Sequence, residues 1–237
     1  MVLSDDDFAS IEVAVEEGRG VFDNLTKFIV WTLPTNAGQS LIILASILTG
    51  LALPALPVQL LWVNMATSIF LGLTLAFEPR ETDLMARPPR NPRKPILTFP
   101  LFMRTGLVSL IMLAGAFGLF SWEHGAEGRN LAEARTAVVN VIVMVQAFYL
   151  LNSRSLCRSI LSVGVFSNRW VWLGLAGMAA AQVLFTYAPV MNRLFHSAPI
   201  AGEAWLRIVG VGVAVFLLVG LEKWLRFGRT PKASRIP

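Results

Sequence analysis

Two consecutive apolar stretches of the chain carry polar side chains near their centres. Asn36 and Gln39 lie inside FIVWTLPTNAGQSLIILASILTGLAL, and Asn64, Thr67 and Ser68 lie inside LPVQLLWVNMATSIFLGLTLAF. Amide and hydroxyl groups at such positions either hydrogen-bond one helix to another or line the path of an ion or substrate. At 1.5 Å per residue Gln39 falls about 16 Å beyond Phe28, close to the centre of a bilayer. Pro34 has no N–H to give to the carbonyl of Val30, which leaves an acceptor open to a polar group, water or an ion. The i, i+3, i+4 spacing of Asn64, Thr67 and Ser68 predicts one shared helix face. Gln146 is central in a later apolar run, and Gln182 follows the small residues Ala179, Ala180 and Ala181. For any one of these residues, gluing helices together is the ordinary role. The set on two adjoining spans points instead to a cation or substrate path, with Gln146 intermediate and Gln182 read as packing.

Other chemistries find little support. His124 and His196 are the two histidines and fall in expected outer loops, Cys157 is the single cysteine, and no GxxxxGK phosphate loop occurs. The acidic run Asp5 to Asp7 reads as solvated.

The elements that must position these groups are membrane spans. Of the 237 residues 55% are hydrophobic and 15% charged, with a mean hydropathy of +0.62, whereas soluble domains carry about 25% charged residues. Six helical spans are predicted at 28–53, 56–77, 100–122, 136–152, 170–190 and 205–225, with a tight Pro-rich corner from Pro54 to Pro57. The net charge of +5 does not mark a nucleic-acid partner, because the basic residues sit in short loops. The loop from Glu78 to Phe99 holds Arg80, Arg87, Arg90, Arg93 and Lys94 among five prolines, Pro79, Pro88, Pro89, Pro92 and Pro95. That loop, the segment with Arg154, Arg158 and Arg169, and the tail with Arg226, Arg229, Lys232 and Arg235 are predicted on the cytoplasmic side. The loops Glu123 to Arg135 and Met191 to Ala204 lack that basic excess, so both termini face the cytoplasm, across a plasma (inner) membrane. Trp122, Trp170, Trp172, Trp205 and Trp224 mark interfacial positions. Gly210, Gly212 and Gly220 are read as allowing close helix packing, and Glu222 and Lys223 as snorkelling to the cytoplasmic interface.

The first residues differ. Ile11, Val13, Val15 and Val21 are scattered among acidic side chains, as in a piece of a soluble domain too short to bury its own core. A preceding segment is therefore expected. The domain reading is 1–24 as the end of a cytoplasmic domain, 25–228 as a six-helix transmembrane cation-transport domain, and 229–237 as a cytoplasmic tail.

The stretch MVLSDDDFASIEVAVEEGRGVFDNLTKFI resembles the junction between the phosphorylation domain and the fifth membrane helix of calcium- and sodium-type P-type ATPases. LPALPVQLLWVNMATSIFLGLTLAFEPRETDLMARPPR resembles the sixth helix and the loop after it. The resemblance implies an all-α membrane bundle equivalent to the family's fifth to tenth helices. It also implies an ATP- and Mg-dependent pump whose ATP-hydrolysing half is a partner, in the same longer chain or a separate one. By position it places Asn36 and Gln39 on fifth-helix ligand sites, Asn64, Thr67 and Ser68 on sixth-helix sites, and Gln146 on an eighth-helix site. Calcium pumps of the family resemble a pattern with Glu at 39, Asp at 68 and Glu at 146, so this chain is neutral at all three. Neutral oxygens suit hard divalent ions poorly, which predicts a monovalent ion, or a divalent one held weakly through carboxylates elsewhere. The DKTGT, TGD and GDGxND motifs are absent, so the chain by itself is not expected to hydrolyse ATP, and a truncated frame or excised domain is the simplest account. A stand-alone membrane scaffold or non-functional remnant is the alternative.

Overall fold

The computed structural model describes residues 8–81, 84–89, 96–125, 130–156 and 164–227. The expectations about Asp5 to Asp7, Arg90, Arg93, Lys94, Pro92, Pro95, Cys157, Arg158 and the tail beyond 227 lie outside the described residues.

Among the described residues the chain is all-helical. Helix α1 (Phe8–Thr49) is followed by a second span built of α2 (Pro57–Thr67), a π-helical turn (Ser68–Gly72) and α3 (Leu73–Ala76). Then come α4 (Phe99–Gly125), α5 (Leu131–Ser153), α6 (Arg169–Tyr187), the short α7 (Pro189–Phe195) and α8 (Gly202–Phe227). Six of these units are long and apolar enough to cross a membrane, and large apolar side chains such as Leu48, Leu61, Ile69, Leu110, Leu173 and Leu206 point outward. An apolar exterior on apolar helices is that of an integral, multi-pass membrane protein.

The span boundaries differ from expectation where local chemistry intervenes. Helix α1 ends at Thr49 rather than at 53, because Gly50 adopts a left-handed φ of 67° and Leu51 N–H returns to the Ser46 carbonyl. The helix after Asn168 stops at Tyr187 rather than at 190, since Ala188, forced extended by the proline that follows, precedes Pro189 at the first position of α7. Helix α5 starts five residues earlier than expected, at Leu131, where the Asn130 side chain accepts from Glu133 N–H at 2.9 Å. Helix α1 has 42 residues, or about 63 Å of length against a hydrocarbon core of about 30 Å. Its N-terminal part therefore projects beyond any membrane.

Helix α5 is the centre of the bundle. Thr136 to Val143 are all buried, as a helix apolar on every side must be, and α1, α4 and α8 pack around it. Close approaches occur at glycines. An added Cβ at Gly212 would lie 2.6 Å from the Phe148 ring, at Gly115 2.6 Å from Val211, and at Gly174 2.0 Å from the Phe70 carbonyl oxygen. Gly212 thus packs closely as expected, whereas Gly210 and Gly220 have nothing within 4 Å.

The basic ends also differ from expectation. Lys223 is buried instead of snorkelling, its ammonium donating to the carbonyls of Asn152 and Ser155 and closing the C-terminal end of α5. Glu222 holds Arg104 of α4 at 2.7 Å. The loop after α3 lies along the projecting part of α1: Arg19 donates to the carbonyls of Leu84 and Arg87 at 3.1 and 2.8 Å, and Arg87 pairs with Asp23 at 2.8 Å.

Candidate cation path and family

Helix α1 and the second span carry five of the six candidate residues, and α5 carries the sixth. Gln39 is buried, and its Nε2 has no hydrogen-bond partner. Gln146 is buried too, and its Oε1 is also unpartnered. A buried amide atom left unpaired costs about 1–3 kcal/mol, so two on facing helices need an explanation. Asn36, one turn before Gln39, is exposed on the surface of α1.

The second span divides its three oxygens. Asn64 and Ser68, a turn apart, are exposed, while Thr67 is buried with its hydroxyl donating to the Val63 carbonyl at 2.7 Å. The single shared face expected for Asn64, Thr67 and Ser68 is not formed. At 100° per residue, Thr67 stands about 60° from Asn64 and 100° from Ser68, enough to turn it into the bundle. The π-turn begins at Ser68 itself, and such turns recur at functional sites. Gly72 ends the turn against the Phe28 and Trp31 rings, which would come within 2.8 and 3.1 Å of an added Cβ. Gln182 packs as expected, its Oε1 at 3.5 Å from Trp62 Nε1, although its Nε2 is unpartnered.

The stretch of α1 around Pro34 is tied to its neighbours. Tyr149 of α5 donates its hydroxyl to the Val30 carbonyl at 3.1 Å, Trp31 Nε1 donates to the Gln146 carbonyl at 3.0 Å, and Ser109 of α4 donates to the Pro34 carbonyl at 2.8 Å. Sequence reasoning identified the open carbonyl but not its partner. A lone Tyr near the end of an apolar run was the available signal.

Among the described residues, no group of three or more His, Cys, Asp or Glu is placed to hold a metal. Of the neutral polar candidates, Gln39, Thr67 and Gln146 are buried and Asn36, Asn64 and Ser68 are exposed. Residues 52–225 match the family model described as "Cation transporting ATPase, C-terminus".

The chain belongs to this cation-transporting ATPase family. It is 56% identical over 225 residues to the "Probable cation-transporting ATPase F" of Mycobacterium tuberculosis, covering 95% of this chain and 25% of that protein. It is 42% identical over 211 residues to the "Cation-transporting ATPase pma1" of Synechocystis, covering 86% of this chain and 23% of that protein. A "Calcium-transporting ATPase" of Bacillus subtilis is 29% identical over 221 residues, covering 93% of this chain and 25% of its own length. The chain thus spans about a quarter of the length of these cation-transporting ATPases.

Proposed function

We propose that this chain is the membrane cation-transport domain of an ATP-driven pump, and that Asn36, Gln39, Asn64, Thr67, Ser68 and Gln146 line part of the cation's path. The observation that carries the reading is the buried, unpartnered amide oxygen of Gln146, Oε1, on the central helix α5. A bare acceptor of this kind is conspicuous in a low-dielectric interior unless something coordinates to it during the working cycle. The outward exposure of Asn36, Asn64 and Ser68 supports it, since polar groups facing lipid would be costly and a further helix of the pump would cover them. Residues 1–24 are then the end of a cytoplasmic phosphorylation domain, residues 229–237 a cytoplasmic tail, and ATP and Mg act in a part of the pump outside this chain. The basic segments around Arg80, Arg87, Arg154 and Arg226 support a topology with both termini on the cytoplasmic side, in a plasma membrane.

A ligand set without carboxylates favours a monovalent cation such as sodium or potassium, because divalent affinity rises with ligand charge. The name of the Bacillus relative keeps calcium in play. In the whole pump, Gln39→Glu with Ser68→Asp should lower the calcium concentration needed to stimulate ATP hydrolysis. If calcium stimulation is unmoved, these positions do not hold the ion.

A further inference from the structure

Pro34 lies inside α1, between its projecting half and the candidate path, and leaves the Val30 carbonyl without its usual helical donor. The Tyr149 hydroxyl donates to that carbonyl at 3.1 Å, with both residues buried. One turn earlier on α5, the Gln146 carbonyl accepts from Trp31 Nε1 at 3.0 Å. These two bonds run in opposite directions between adjacent residues of α1 and residues one turn apart on α5. Asn36 and Gln39 follow the proline within two turns, and Gln146 precedes Tyr149 by three residues. The bond that replaces the missing helical donor thus joins the same two helices that present Gln39 and Gln146.

We propose that Tyr149 is a positioning residue for the cation path: by supplying the donor Pro34 lacks, it sets the course of α1 beyond Pro34 and so the placement of Asn36 and Gln39 relative to α5, the helix that carries Gln146. The inference rests on the reading that those three groups meet the cation. Tyr149 itself need not touch the ion. Its role exists because of the proline, and that dependence makes it testable.

The test is a double-mutant cycle in the whole pump, reconstituted in vesicles, with ATP hydrolysis titrated in turn with sodium, potassium and calcium chloride. Tyr149→Phe removes the hydroxyl and should raise the half-stimulating concentration of the effective ion by roughly 2- to 12-fold, the range spanned by the net contribution of one hydrogen bond. Pro34→Ala and Pro34→Ser each return a backbone N–H to Val30. In either background Tyr149→Phe should have a much smaller effect. An equal shift with and without Pro34 would mean that the ring acts by packing alone, and the proposal falls. No shift from Tyr149→Phe, while Gln39→Ala and Gln146→Ala weaken stimulation, would overturn the proposal and leave the path reading standing. If Gln39→Ala and Gln146→Ala are both silent, the path reading itself fails, and the positioning role with it. Phosphorylation by inorganic phosphate, measured without cation, checks that each variant is folded.

Discussion

Arg154 and Glu78 form an ion pair 2.9 Å apart with side chains that are 0% and 2% exposed. The pair joins the end of α5 to the chain just after α3. Asn168 adds a bond from its Nδ2 to Glu78 at 2.8 Å while its Oδ1 caps α6 by accepting from Trp170 N–H. Arg154 also donates to the carbonyls of Gly164 and Val165. One buried cluster therefore fastens three helix ends on the side predicted to be cytoplasmic.

A buried charge that loses its partner is expensive, about 3–5 kcal/mol. Glu78→Ala should accordingly lower the thermal midpoint of the detergent-solubilised protein strongly, whereas Glu78→Leu combined with Arg154→Met should recover much of the loss. Equal melting of the single and double variants would show that the charges are not energetically coupled.

Gly174 crosses the π-turn with its α-carbon against the Phe70 carbonyl, where an added Cβ would sit 2.0 Å from that oxygen. Backbone cannot move aside as a side-chain tip can, so Gly174→Ala should destabilise by about 1–3 kcal/mol. Gly210→Ala meets open space and serves as the control. The comparison is a pair of melting curves, and indistinguishable curves would contradict the close approach.

Lys223 holds the carbonyls of Asn152 and Ser155 from inside the bundle. Bonds from a charged donor contribute about 1.5–3 kcal/mol each, so Lys223→Met should destabilise measurably. Because the site is buried, the loss should change little between low and high salt. A loss that disappears at 1 M salt would point to an exposed charge effect instead.

The loop after α3 is bound to α1 by Arg19, through the carbonyls of Leu84 and Arg87. Arg19→Ala should free it, and limited trypsin digestion should then cut after Arg80, in the same loop, several-fold faster, as expected for about 1 kcal/mol of lost local stability. Unchanged cleavage kinetics would mean that Arg19 does not hold the loop.

Much of the architecture was legible from residue type and spacing. Apolar runs of the right length gave the spans, and the five prolines after Glu78 marked a non-helical connection, because composition and backbone chemistry are local properties. Boundaries were less legible: Ala188 and Gly50 end their helices through the conformation of single residues. Facing was least legible. Thr67 shares a sequence pattern with Asn64 and Ser68 yet turns inward, and only the packing of α2 against its neighbours decides how far around the helix the buried face extends.

The sequence alone determined that this is a helical membrane protein with neutral polar groups at mid-depth in two adjoining spans, and that Pro34 frees the Val30 carbonyl. Those statements need only side-chain chemistry, helix periodicity and the ring of proline. Only the tertiary structure decided that Tyr149 fills the place of the missing donor, that Glu78 pairs with Arg154, and that Lys223 turns inward to cap α5. Each of those joins residues 68 to 119 positions apart, and contacts at such separation are set by how the helices pack, which no local pattern encodes.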